Sequence, residues 1–213
     1  MNQSLPYSSA ICYSGFRDGQ SPGSASPSYE EIKEDLLILQ PHWTSLRLYD
    51  CDQHAETVLE VIRNENFSFD VMLGAYIVAE VNNYECPWGG MYANVELEAN
   101  KVYNQRRIEN LIQLATKYSD IVTSVSAGNE ATVSWTDHLV TVEGLLEYVT
   151  LIKKSVKQPV TFCENYVPWL DKLRPVADAL DFISIHTYPV WEYKTVDDAL
   201  QYTIENYHAV AHT

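Results

Sequence analysis

The chain has 213 residues, 46% of them apolar and 20% charged, with a formal net charge of −15. That length allows one core burying roughly 70% of the surface the unfolded chain exposes, and the composition excludes a disordered or fibrous chain. The negative balance repels phosphate backbones and anionic lipid, so neither nucleic acid nor a membrane surface is expected as a partner, and a neutral ligand is easier to accommodate.

The N-terminus, "MNQSLPYSSA", lacks the basic stretch and apolar run of a secretory leader, and no segment is apolar enough over roughly 18 residues to span a membrane. The compartment stays open. Taken in chain order, "SAICYSGF" (Ser9 to Phe16) reads as a strand and "SYEEIKEDLLILQP" as a helix with an apolar stripe at Ile32, Leu36 and Leu39, closed by Pro41. A strand at Ser45 to Asp50 and a helix from about His54 to Asn64 follow. The third pair is Phe69 to Ile77, then a helix from about Leu97 to Tyr118. The fourth is "IVTSVSAGNE" with a helix from about Val142 to Val156. The fifth is "PVTFCENY" with a short helix near Val167 to Ala179, and the sixth is "FISIHTYP" with a helix from Val196 to the end.

Strand-then-helix units in succession point to parallel strands joined by crossovers. An open doubly wound sheet and a (β/α) barrel compete, but no glycine-rich phosphate loop follows the first strand, which weakens the nucleotide-binding sheet. The polar residues favour the barrel. Arg47, Tyr49 and Asp50 end the second strand, Asn129 and Glu130 the fourth, Glu164 and Asn165 the fifth, and His186 and Tyr188 the sixth. Strand C-termini are where a barrel builds its active site. The expected fold is therefore α/β, an incomplete (β/α)8 TIM-barrel type with about six units, forming one partial domain over residues 1–213.

The connection from Ala79 to Glu96 exceeds the usual loop length, which marks a functional wall or lid. Its Tyr84, Trp88 and Tyr92 are placed either to meet a ligand or to pin the loop to the barrel. Cys12, Cys51, Cys86 and Cys163 show no metal or redox spacing and are expected as free thiols. The six histidines carry no HxH or HExxH pairing, so no metal and no cofactor are expected.

Glu130 is the sharpest chemical candidate. A glutamate among aromatics at a barrel mouth is partly desolvated, which raises its pKa and suits it to general acid catalysis; Asn129 beside it is placed to hold a substrate hydroxyl. Cleaving a glycosidic bond takes two carboxyls, about 5 to 5.5 Å apart in retaining enzymes.

The set "RLYD", "AGNE", "ENYVPWL" and "HTYPVWEY", in this order and spacing, resembles glycoside hydrolase family 17, in particular its bacterial members, over essentially the whole chain from "ICYSGFR" onward. The resemblance implies a retaining β-1,3-glucanase or β-1,3-glucan transglycosylase. It gives Glu130 as acid/base and Asn129 as its substrate-orienting neighbour. By the same match Arg47 and Tyr188 support the nucleophile, and Tyr13, Asp50, Tyr76, Glu164 and Trp191 line sugar subsites; apart from the match, His186 reads as a sugar-contacting or structural residue and Trp88 as placed to meet a ligand. It also exposes a departure: the family's nucleophile is a glutamate ending a seventh strand, and the six units here contain no match. Glu164 matches a substrate-site residue, Glu192 follows a proline in a loop, and Glu205 reads as a solvated helix face. An incomplete barrel leaves strand edges and apolar interior open, so a homo-oligomer or a complementing segment is expected as partner besides a β-glucan. Two alternatives stay open: a non-catalytic glucan-binding or assembly subunit, and a clan relative acting on a β-1,4-linked glycan.

Overall fold

Every strand is followed by helix in the computed structural model, which describes residues 8–212. Residues 1–7, read above for a leader, and Thr213, placed above in the last helix, lie outside them. The elements are β1 (Ala10–Cys12), α1 (Tyr29–Leu39), β2 (Ser45–Leu48), α2 (Gln53–Asn64), β3 (Asp70–Gly74), α3 (Asn94–Lys117), β4 (Val122–Asn129), α4 (Val142–Ser155), β5 (Val160–Asn165), α5 (Tyr166–Trp169), α6 (Arg174–Ala179), β6 (Ser184–His186) and α7 (Val196–Ala211). The strands form one sheet in the order β1-β2-β3-β4-β5-β6, and every neighbouring pair is parallel. Parallel pairing forces a crossover after each strand, and the helices supply it.

Helix starts follow from local side chains. The Ser28 hydroxyl accepts the Glu31 N–H while the Glu31 carboxylate accepts the Ser28 N–H, a reciprocal cap that opens α1. Asp52, Thr141 and Thr195 cap α2, α4 and α7 from one side, each side chain accepting a backbone N–H of the first turn. Alternate strand residues (Leu46, Leu48, Val71, Leu73, Val125) are buried in one cluster with Ile32, Leu36, Val58, Ile62, Ile108, Leu111 and Ile152 from the helices. The other side of the strands carries small or polar groups that bond across the sheet: Ser126 to Cys163 at 3.3 Å and Thr161 to Ser184 at 3.0 Å.

The sheet is curled. β2 and β6 stand four places apart, roughly 19 Å in a flat sheet at about 4.8 Å per strand, yet Arg47 of β2 reaches His186 of β6 at 2.8 Å. The result is an incomplete (β/α)8 barrel. Among the described residues β1 pairs only with β2, and β6 only with β5.

The element readings need correction in two respects. The single helix expected at Val167 to Ala179 is two, α5 and α6, because Pro175 sits in the first turn of α6, where a proline starts a helix rather than continuing one. The first and sixth strands are three residues each rather than eight, and the third is five rather than nine; in the first, past the Tyr13 N–H to Arg47 carbonyl bond, the chain leaves the ladder to wrap over α1.

Candidate active site

At the C-terminal ends of β2, β4 and β6 the curl gathers Arg47, Asn129, Glu130 and His186. Arg47 Nη2 donates to Asn129 Oδ1 at 2.5 Å, and Nη1 lies 2.8 Å from His186 Nε2. The other ring nitrogen, Nδ1, lies 2.7 Å from Glu130 Oε1. A guanidinium has donors only, so Nε2 must present its lone pair and Nδ1 must carry the hydrogen given to Glu130. Burial by itself lowers the affinity of His186 for a second proton, while contacts with Cys163 and Glu130 pull the other way. A second proton on Nε2 would however face Arg47 with nothing to accept it, so we read the ring in this arrangement as neutral.

Glu130 has φ +46, a left-handed backbone that costs a non-glycine residue about 1–3 kcal/mol and persists where the surroundings over-determine it. Those surroundings are visible. The Glu130 N–H donates to the Cys163 carbonyl at 2.9 Å, and the Asn129 carbonyl lies 3.0 Å from His138 Nε2. Both ends of the peptide leading into Glu130 are thus bonded, and the Glu130 side chain is 29% exposed. Gly128, φ +155, lets this turn pass close to β5: a Cβ there would stand 2.9 Å from Phe162 Cε2 and 3.0 Å from Ile77 Cδ1.

Tyr188 packs its ring 5.7 Å from that of His186, and Arg47 lies over the Tyr49 ring at 4.6 Å. Desolvation raises the Tyr188 phenol and pushes those of Tyr49 and Tyr76 up to about 12, so all three are hydroxyl donors at neutral pH. Asp50 Oδ1 accepts the N–H groups of Cys51 (2.8 Å) and Tyr76 (3.0 Å), tying β2 to β3; burial raises its carboxyl.

The remaining expected site residues lie elsewhere. Tyr13 is 7% exposed and gives its hydroxyl to Asp35 at 2.7 Å, where Arg17 grips the same carboxylate. Glu164 is 0% exposed; Oε2 accepts the Thr132 N–H (2.9 Å) and hydroxyl (2.7 Å), and Oε1 the Asn165 N–H (2.7 Å). A carboxylate so enclosed fastens the loop after β4 to β5, and in this arrangement it has no surface to offer a sugar. Its pKa is raised by burial, against the opposing pull of those donors. Trp88 and Trp191 stand at the rim, 68% and 82% exposed. Glu205 is exposed on α7 and bonded to Gln201.

Three participants escape a sequence reading. His138, Thr132 and Asp35 sit in loops or on a helix face, and nothing in their spacing marks them. Among the described residues no cluster of His, Cys, Asp or Glu is arranged to hold a metal ion, and all four cysteines are free.

No protein-family model matches the sequence, and no curated protein matches it. Among solved structures the chain is similar to a glycoside hydrolase family 17 β-1,3-glucanosyltransferase from Rhizomucor miehei, at 18% identity and a TM-score of 0.70, covering 95% of this chain and 65% of that one. An active-site mutant of the Rhizomucor enzyme in complex with laminaritriose gives a TM-score of 0.71 at the same identity and coverage. The family GH113 β-mannanase AaManA of Alicyclobacillus acidocaldarius matches at 14% identity and a TM-score of 0.55, covering 84% of this chain and 62% of that one. The chain thus spans about two thirds of the length of the proteins it resembles. Its fold is that of the (β/α)8-barrel glycoside hydrolases, present over six strand–helix units.

Proposed function

We propose that the chain belongs to a retaining glycoside hydrolase system acting on β-1,3-glucan, with Glu130 as general acid/base. The observation that carries this reading is the bonded series Arg47–His186–Glu130 beside Asn129, at the strand ends where a barrel does its chemistry. Glu130 protonates the departing glycosidic oxygen and afterwards takes a proton from water or an acceptor sugar. His186 steadies the charge Glu130 carries between these steps, because its Nδ1–H bonds best to a carboxylate. Arg47 fixes both the tautomer of His186 and the amide of Asn129, leaving the Asn129 side-chain N–H groups to orient a substrate hydroxyl. Tyr76, Tyr188, Trp88 and Trp191 are the stacking surfaces, while Tyr49 holds Arg47.

Retention needs a second carboxylate. Glu164 is sealed and Glu205 lies out on α7, so the six units are expected to bind glucan and to turn it over slowly or not at all unless a further carboxylate completes the pair. The same sealing of Glu164 favours a second reading, a glucan-binding or assembly subunit without chemistry of its own. Electrophoresis in gels cast with laminarin, β-1,4-mannan or no polysaccharide tests the ligand class: retardation in laminarin, lost in Arg47→Ala, is expected, and equal mobility in all three gels overturns the proposal. Reducing-sugar release from laminarin, run with Glu130→Gln alongside, separates enzyme from binder. Turnover that survives Glu130→Gln would sink the assignment of Glu130.

A further inference from the structure

The loop after β4 carries a histidine that the reading above leaves unused, although it touches both the catalytic turn and a cleft aromatic. His138 Nε2 stands 3.0 Å from the carbonyl of Asn129, which can only accept, so Nε2 bears the hydrogen. Its Nδ1 faces Asp137 Oδ1 at 2.8 Å, Thr136 Oγ1 at 3.1 Å and the Tyr76 hydroxyl at 3.3 Å. The ring lies on that of Tyr76, centroids 5.0 Å apart. The loop is itself held: Asn83 donates to the carbonyls of Ser134 (2.8 Å) and Thr136 (2.7 Å), and Tyr92 to that of Asp137 (2.8 Å). His138 is therefore anchored from behind and extends one N–H forward to the peptide that enters Glu130.

We propose that His138 is a positioning residue. Its bond to the Asn129 carbonyl locks the left-handed turn that aims Glu130 at His186, and its second nitrogen ties Tyr76 to that turn, so that the acid and a sugar-facing ring move as one. The geometry explains how a strained φ is held at Glu130: the peptide plane is gripped at its N–H by Cys163 and at its C=O by His138. The inference rests on the reading of Glu130 as acid/base only for its functional meaning; the clasp itself is a statement about the turn.

The test uses the whole chain and needs no turnover. In His138→Ala, exchange of the Glu130 amide hydrogen is expected to speed up about tenfold, the factor an ordinary hydrogen bond is worth, and the carbon-13 NMR shift of the Glu130 carboxyl to depart from wild type as its bond to His186 loosens. His138→Gln places an amide N–H where Nε2 stood and is expected to restore both. Should either variant fail to fold, the ring nitrogen shifts of the wild-type protein decide: Nε2 is expected to be protonated, and a bare Nε2 overturns the proposal. A folded His138→Ala with wild-type exchange and carboxyl shift at Glu130 also overturns it, as does a folded His138→Gln that behaves like the alanine variant. Absence of laminarin retardation in the wild type would instead strike the functional reading and leave the clasp standing.

Discussion

Glu130 sits in a backbone conformation that a glutamate adopts only when held there, and its neighbours show what holding it takes. Gly128 is the permissive member, because its missing Cβ is the space that Phe162 and Ile77 occupy. Gly128→Ala is expected to cost about 1–3 kcal/mol of stability through overpacking and backbone strain; chemical denaturation reads this directly, and a change of a few tenths would mean that Phe162 and Ile77 yield freely. The Asn129–Glu130 pair is legible in the sequence, since an alternating run that stops at Gly-Asn-Glu announces a strand end with polar groups on it. Its regulators are not. Arg47 and His186 lie 139 residues apart, and His138 meets Asn129 only because a loop folds back over the strand it follows. Glu164 shows the opposite case, a strand-end carboxyl that reads like a site residue and is enclosed by Thr132, a partner with no distinguishing pattern.

At the scale of elements, loops decide the shape of the cleft. The long connection between β3 and α3 is fastened at several points: Asn104, fully buried on α3, bonds both backbone groups of Val78 and the Glu80 carboxylate, which also accepts the Tyr148 hydroxyl of α4. With Tyr92 bonded to Asp137, the segment forms a fixed wall that leaves Tyr84 and Trp88 exposed. The segment between β1 and α1 is held by His54, whose Nε2 accepts the Gly15 N–H at 3.3 Å with the Phe16 ring stacked at 4.9 Å. Burial lowers the pKa of His54 below its ordinary 6.5, against the partial opposition of Asp52 and Asp35. The unfolded chain therefore takes up this proton first, so the stability His54 confers is whole above about pH 6.5 and declines as pH falls below it. His54→Gln keeps an acceptor for Gly15 but does not titrate. The gap in melting temperature between wild type and variant should narrow as pH drops from 7 towards 5, and a constant gap would show that His54 does not titrate with folding. The hydrophobic period finds these helices and strands because each records its own burial residue by residue. It misses the break between α5 and α6 because Pro175 opens α6 without disturbing the apolar spacing around it.

For the whole molecule the open edges are the dominant physical fact. The outer sides of β1 and β6 carry no partner strand among the described residues, and α7 turns Val196, Leu200, Ile204 and Tyr207, one helical stripe, into solvent. Unpaired strand edges beside exposed apolar surface drive association. Light scattering is expected to give a mass above that of one chain, growing with concentration, and a monomer at the highest concentrations would count against this. The sequence by itself determined the succession of units, the parallel sheet and the strand ends on which polar groups sit, because periodicity and strand-end chemistry are written locally. Only the tertiary structure decided which of those groups meet. The curl that brings β2 to within one side chain of β6, the sealing of Glu164 and the grip of His138 on Asn129 are sums over many distant contacts, and no local pattern carries such a sum.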